Sequence, residues 1–543
     1  MRYLVGVDFG TLSARAVVVG EDGTEAATAA MDFPHAVMDK TLTAGDGRDL
    51  PPDFALQVPS DYLVSMEHAV NQAMAESGVD PKDVAGMGLD FTASTILPAR
   101  ADGTPLCESE DFKDNPHAYV KLWKHHGAQE QANRATALGA DTDWLARYGG
   151  IISSELAIPK ALETLEKAPE VYAEADLFVE ALDWVIWQLT GNLTHSAAAA
   201  GYKALMQDGS FPSPEYLGAL NPGFANFVEE KYTAPTLQLG SCAGRLSEEM
   251  AERLGLPAGI AVATGVIDAH STAYGIQALE PGALTAIMGT SNCFIVSDPD
   301  FHEVPGCFGA VLGGVVPGLW AYECGQTGSG DILAWFINNC VPERYSALAK
   351  ERGISVHQLL TEEAAKQRIG QHGLIALDWH NGNRSILNDS TLSGVMVGQT
   401  LKTTAVDMYR ALLEAIAFGM RVIIDNYAAS GVAVREIVAA GGLLKNELLM
   451  QIIADVNQVP VSISTSQQAP ALGAAINAAV AADVYPSLPA ASTAMGSKQP
   501  AVYHPNPEAG AQYQKLFDEY LELHDHFGRG GNDVLHRLQK LRG

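Results

Sequence analysis

Residues 2–7 form an almost unbroken apolar run and read as a buried strand, and residues 15–19 read as a second strand after a tight turn. The period then changes. Leu63, Met66, Val70, Ala73 and Met74 recur at helical spacing, with Ser60 or Asp61 placed to cap that helix. Residues 84–89 return to a short buried strand that runs out at Asp90-Phe91-Thr92. Strand and helix patterns that take turns in this way predict an α/β fold.

The second half repeats the plan. Residues 283–288 predict a strand, 289–292 a turn and 293–296 the returning strand. A long helix is predicted over 405–423, with Met408, Leu412, Ala415, Ile416 and Gly419 on one face. Residues 436–440 predict a further strand, which enters Gly441-Gly442 and then a helix; the stretch after Pro505 also reads as helical. The recurrence predicts two domains, residues 1–270 and 271–543, with no low-complexity linker between them.

At 543 residues the chain exceeds what one hydrophobic core organises, in keeping with two domains. Its 47% apolar and 18% charged residues are a globular composition and not a disordered one. A formal net charge of −30 argues against a nucleic-acid partner, since phosphate-backbone binding needs clustered Lys and Arg. It leaves room for a nucleotide, whose phosphates backbone N–H groups and Mg²⁺ can hold inside an acidic protein. The most apolar stretch, 308–322, is broken by Gly and Pro and is too short to span a bilayer, so no membrane partner is expected. Residues 1–5 enter a strand pattern without signal-peptide features, and the six cysteines form no C-x-x-C pair. A reducing, cytoplasmic setting is expected. The oligomeric state is left open, a homodimer among the options.

The candidate chemistry starts from a strand–turn–strand unit with Gly-Thr at the turn, found once in each half. The two are Val7-Asp8-Phe9-Gly10-Thr11-Leu12-Ser13 and Met288-Gly289-Thr290-Ser291-Asn292. Glycine lets backbone approach a phosphate with no Cβ in the way, and successive N–H groups with hydroxyls make an anion-binding concavity. Gly10, Thr11, Ser13 and Arg15 of the first unit, and Gly289, Thr290 and Ser291 of the second, are therefore candidate contacts for ATP. Asp8 is placed to hold a Mg²⁺ that bridges phosphate oxygens. Singly, each unit also reads as an ordinary β-hairpin; their recurrence points to phosphate.

Gly441-Gly442, between a strand and a helix, can admit a flat adenine ring against bare backbone, with Asn446 a further candidate contact. A plain turn capped by Asn446 is the alternative. Asp268 ends an apolar strand and precedes a helical run. It is a candidate general base, the one carboxylate that phosphoryl transfer asks for, and equally a candidate helix cap. His270 reads as a packed helix histidine.

In this order these elements resemble the actin-like ATPase superfamily and, more narrowly, the FGGY carbohydrate kinases. Ser153-Ser154-Glu155-Leu156-Ala157-Ile158-Pro159-Lys160-Ala161-Leu162 is similar to one family signature. Gly394-Val395-Met396-Val397-Gly398 with Asp407-Met408-Tyr409-Arg410-Ala411-Leu412-Leu413-Glu414 is similar to another, departing at Gln399, where an aliphatic residue is usual. Segments 7–13, 90–94, 321–326, 378–385 and 527–534 resemble the branch of the family that acts on L-ribulose.

The resemblance implies two ribonuclease-H-like domains around a central cleft, the N-terminal one binding sugar and carrying the first phosphate turn, the C-terminal one binding ATP. It implies Mg-ATP-dependent phosphorylation of L-ribulose, with D-ribulose a second candidate, at the C5 hydroxyl and with Asp268 as base. The implied sugar contacts are Ala93, Trp123, Lys203, Asp268 and Glu323. Trp123 can cover the C–H face of a sugar, Lys203 can donate, and Glu323 and Asp268 can accept from hydroxyls. Plainer roles stand beside these: Trp123 in the core, Lys203 as a surface charge, Glu323 in an ion pair. Two other functions compete, a family kinase for xylulose or glycerol and an actin-like ATPase serving as a binding module. The setting of Asp268 and the lack of an appended peptide-binding domain count against the module.

Overall fold

The computed structural model describes residues 1–542. Its packing divides the chain into two compact units. One comprises Met1–Glu280, Ala310–Ala321 and Gln468–Ser497; the other comprises Pro281–Gly309, Tyr322–Gln467 and residues 498–542. These units differ from the contiguous stretches 1–270 and 271–543, because the first stretch runs on to Glu280 and two later segments pack with it.

In the first unit, strand Tyr3–Phe9 pairs antiparallel with Ser13–Gly20 and parallel with Val84–Phe91. The sheet runs in the order Cys242–Arg245, Ala261–Ala263, Val84–Phe91, Tyr3–Phe9, Ser13–Gly20, Glu25–Asp32. The short strand Val266–Ile267 adds to Val84–Phe91 near its end. On one face, helix Pro59–Ser77 buries Met66, Val70, Ala73 and Met74 in a core that includes Val5, Val7 and Leu89. That helix starts at Pro59 with Val58 in the cap position and no side-chain cap. The cap expected of Ser60 or Asp61 does not form; the Asp61 carboxylate instead accepts from His35 N at 2.8 Å.

Strand alternation turns Gly6 and Gly88 to the opposite face, where helix Ala469–Ala481 lies. A Cβ on Gly6 would stand 1.9 Å from Ala471 O, and one on Gly88 2.1 Å from Ala474 O. Bare backbone at these two positions is what lets this late helix lie directly on the sheet. The unit also holds a smaller sheet in the order Leu56–Gln57, Val120–Lys121, Ile96–Ala99, Leu177–Glu180.

The second unit repeats the central motif. Strand Ala283–Met288 pairs antiparallel with Asn292–Asp298 and parallel with Glu436–Ala440. The order is Trp320–Gln326, Asn292–Asp298, Ala283–Met288, Glu436–Ala440, Val461–Ser464, Lys498–Tyr503. The returning strand exceeds the expected 293–296 because its ladder already begins with Asn292 opposite Met288. Helix Ala405–Ala429 opens on a capping box between Thr404 and Asp407. It passes the expected end at 423 because Ile424 and Tyr427 are also buried.

Candidate active site

Strand Tyr3–Phe9 delivers Asp8 close to its C-terminal end. There Asp8 is in register with Asp90 on the parallel neighbour and with Arg15 on the antiparallel one. Arg15 Nη1 donates to Asp8 Oδ2 at 3.0 Å. Burial raises the Asp8 pKa, and the Arg15 guanidinium is the main influence opposing that rise. Gly10 N donates to Ser13 O at 3.0 Å and closes the turn. Gln57 Nε2 donates to Thr11 O at 2.8 Å, and Trp123 Nε1 to Thr11 Oγ1 at 3.2 Å. The Thr11 hydroxyl thereby keeps its own proton to donate, while the turn is tied to Trp123.

Asp90 is fully buried, and neither carboxylate oxygen has a hydrogen-bond partner in good geometry. The nearby Ser271 hydroxyl is spent on Pro470 O at 2.8 Å. Burial first, then repulsion from Asp8 and Asp268, holds the Asp90 carboxyl well above the ordinary range. A site of this kind asks for a proton or a cation.

Val266 lies opposite Asp90 and Ile267 opposite Phe91, which brings the next residue, Asp268, to the same strand ends. Helix Asp268–Gly275 begins there, with Ile267 in the cap position and no side-chain cap. Asp268 Oδ1 accepts from Ala269 N at 2.7 Å. A cap bond would reach two or three residues ahead, whereas this one comes from the next residue. His270 is fully buried and packs edge-on to Tyr202, ring centres 4.6 Å apart, as a helix histidine in the core would.

Ala93, Tyr202, Ile267 and Val311 form a small apolar cluster. It draws Ala93 toward the chain neighbours of Tyr202 and Ile267, namely Lys203 and Asp268. Trp123 is 37% exposed and is therefore no core residue. Lys203, at 7%, is no surface charge; its Nζ lies 5.8 Å from the centre of the Tyr202 ring. Glu323 belongs to the second unit, where it is buried on strand Trp320–Gln326. Its carboxylate stands 3.7 Å from Arg384 Nη2, so the ion pair considered as its plainer role is present.

In the second unit, Ile287 pairs with Ala440, and the turns at Gly289 and Gly441 leave neighbouring strand ends. Gly289 N donates to Ser291 O at 3.0 Å. Gly289 O accepts from Gly330 N and Thr290 O from Ser329 N, both at 2.9 Å, which seats the turn on the start of helix Gly330–Cys340. Gly441 has φ 103°, and a Cβ there would meet Met288 O at 2.5 Å. Gly442 faces open space instead. Asn446 caps helix Glu447–Asn457 by accepting from Leu449 N at 3.0 Å, and its Nδ2 donates to Thr361 Oγ1 at 3.2 Å. Its carboxamide is thus engaged as the capping alternative required.

The model of the N-terminal domain of the FGGY family of carbohydrate kinases matches residues 3–275, and that of the C-terminal domain matches 284–482. The chain belongs to the FGGY family of carbohydrate kinases. Ribulokinase of Mycolicibacterium smegmatis is 53% identical, over 100% of this chain and 96% of that protein. Ribulokinase of Geobacillus thermodenitrificans is 46% identical, over 99% and 97%. Among solved structures, xylulose kinase from Rhodospirillum rubrum matches with a TM-score of 0.81 at 21% identity, covering 99% of this chain and 100% of that one. Plasmodium falciparum glycerol kinase with ADP matches with 0.77 at 16% identity, covering 96% and 98%. These likenesses establish the actin-like ATPase fold. Among the described residues, no helix is long and apolar enough to cross a membrane.

This FGGY kinase uses ATP to phosphorylate a sugar. Its motifs offered Asp8 and Asp268 as candidates and did not offer Asp90. The available signal was a strand ending in Asp beside a second strand that also ends near Asp; only sheet register shows that the two face each other.

Proposed function

We propose that this kinase transfers the γ-phosphoryl group of ATP to the terminal C5 hydroxyl of L-ribulose, and that it also accepts D-ribulose. The observation that carries the reading is the assembly of Asp8, Asp90 and Asp268 at adjoining strand ends, with Ala93 and Lys203 drawn in by the Tyr202 and Ile267 cluster. The chain's full-length similarity to ribulokinases supports the choice of sugar.

Mg²⁺ fits the residues present. Among the described residues no three His, Cys, Asp or Glu side chains converge on a metal position. Mg²⁺ is usually held by one or two carboxylates together with substrate phosphates and water, and Asp8 with Asp90 is such a pair. When bound, the ion supplies positive charge against the phosphate oxygens. Asp8 would hold it, with Arg15 fixing the other face of that carboxylate. Thr11 and the backbone around Gly10 would contact phosphate oxygens; in the second unit, taken by itself, the Gly289–Ser291 turn suits phosphate and the open space before Gly442 suits an adenosine.

Trp123 covers the sugar's C–H face, and Lys203 binds oxygens away from the reacting end. Asp268 takes the proton from the C5 hydroxyl as its oxygen attacks the γ-phosphorus. The bond from that phosphorus to the β–γ bridging oxygen breaks, and ADP leaves with L-ribulose 5-phosphate formed. The anchor from Ala269 N orients the Asp268 carboxylate for this step. Measured kcat/KM for L-ribulose, D-ribulose, D-xylulose and glycerol with Mg-ATP tests the proposal. Preference for the ribuloses is expected; preference for xylulose or glycerol would overturn the sugar and leave the kinase.

A further inference from the structure

Lys160 lies within helix Ala157–Lys167 and is fully buried. An ammonium has three protons to donate. Here they go to three backbone carbonyls: Ser94 O, Leu122 O at 2.8 Å and Lys121 O at 3.3 Å. Those carbonyls flank two residues assigned above to the sugar. Leu122 O belongs to the peptide bond that leads into Trp123, and Ser94 immediately follows Ala93.

The grip at Ser94 is two-sided. The Ser94 carbonyl and the Thr95 N–H belong to one peptide group, and Thr95 N donates to Glu180 Oε2 at 2.9 Å. Glu180 is itself fully buried, at the end of strand Leu177–Glu180. A cation therefore holds one end of this peptide and a carboxylate holds the other. Ser94 has φ 70°, a left-handed conformation that a non-glycine residue keeps only where its surroundings impose it. Burial lowers the Lys160 pKa to about 7 and raises that of Glu180 to about 7, and the attraction between the two opposes both shifts.

A second layer locks Lys160's own helix to the Trp123 segment. Lys121 Nζ donates to Lys160 O at 3.1 Å, Glu163 Oε2 at 2.8 Å and Thr164 Oγ1 at 2.7 Å. His125, two residues after Trp123, bonds Glu163 Oε2 at 2.9 Å. So much buried charge spent on main chain is costly unless the placement of that main chain matters.

We propose that Lys160, seconded by Glu180, is a positioning residue of the sugar site: it fixes the Ala93–Thr95 and Leu122–Trp123 segments and thereby sets affinity for the ketopentose. The proposal rests on the assignment of Ala93 and Trp123 to the sugar. Lys160→Met keeps the length of the side chain and removes its three donors. Glu180→Gln keeps the shape and removes the charge, and it serves should Lys160→Met fail to fold. Trp123→Ala is measured alongside. Titration calorimetry with L-ribulose in the absence of nucleotide reads sugar affinity, and steady-state kinetics reads the two KM values.

Lys160→Met should weaken L-ribulose binding tenfold or more and Glu180→Gln about threefold to tenfold, with the KM for ATP unchanged in both. Sugar affinity kept within twofold in the folded variants, while Trp123→Ala loses it, would overturn the positioning role. A parallel rise in both KM values would also overturn it, since that marks general destabilisation. Undiminished sugar binding in Trp123→Ala would instead overturn the sugar-wall assignment on which the proposal stands.

Discussion

The Gly-Thr turns of the two units share a backbone plan and differ in chemistry. Each closes an antiparallel hairpin whose first strand has a parallel neighbour. Counted back from the turn glycine, Asp8 corresponds to Ile287; in register, Asp8 faces Asp90 and Arg15 where Ile287 faces Ala440 and Cys293. The first turn is thus surrounded by charge, and its Thr11 is bonded to Gln57 and Trp123. The second has apolar partners and spends its carbonyls on the start of a helix. One scaffold supplies carboxylates in one unit and a bare backbone cradle in the other. A Gly-Thr turn offers an anion backbone N–H groups and a hydroxyl, and what chemistry can follow depends on the side chains that register brings alongside.

If the division of labour is right, the largest effects belong to the first unit. Asp268→Asn should lower kcat by about 10²–10⁴ with little change in melting temperature. Asp8→Ala should cost a comparable factor, whereas Ile287→Val at the matching position should leave kcat unchanged. Steady-state kinetics on the three variants checks this, and near-normal turnover in Asp8→Ala would break the contrast. Next in size is Gly441→Ala in the second unit. Its φ of 103° and the crowding against Met288 O should cost about 1–3 kcal/mol of stability, read by chemical denaturation.

Gly442→Leu should raise the KM for ATP about tenfold, equivalent to about 1.4 kcal/mol, and leave the KM for L-ribulose alone. An unchanged ATP KM in a folded variant would remove the adenosine from this turn. The smallest effect expected is from Asn446→Ala, about 1 kcal/mol of stability through loss of the helix cap, with the ATP KM nearly constant. A tenfold rise in that KM would make Asn446 a nucleotide contact as well as a cap.

Much of the fold was legible in the chain because its signals are local. Strands Ala283–Met288 and Glu436–Ala440 coincide with their apolar runs, and the two Gly-Thr turns sit where glycine and hydroxyl residues interrupt those runs. Candidate chemistry at Asp8 and Asp268 was equally visible, each being a lone carboxylate at the end of an apolar strand. Burial then separated alternatives that composition could not. Lys203 is buried and Trp123 is not core, although both residue types occur readily on either side of a surface.

The alternation of elements, the repeated strand–turn–strand unit and the candidate carboxylates were set by sequence alone, since periodicity and turn chemistry act between neighbours in the chain. Tertiary structure decided the rest. It placed helix Ala469–Ala481 on the first unit's sheet, through glycines whose missing Cβ atoms matter only because helix carbonyl oxygens stand about 2 Å from where those atoms would be. It set Asp90 beside Asp8, because register couples residues some eighty positions apart. And it turned Lys160 from a helix lysine into the anchor of two distant segments, because only the folded chain removes the water that would otherwise accept its three hydrogen bonds.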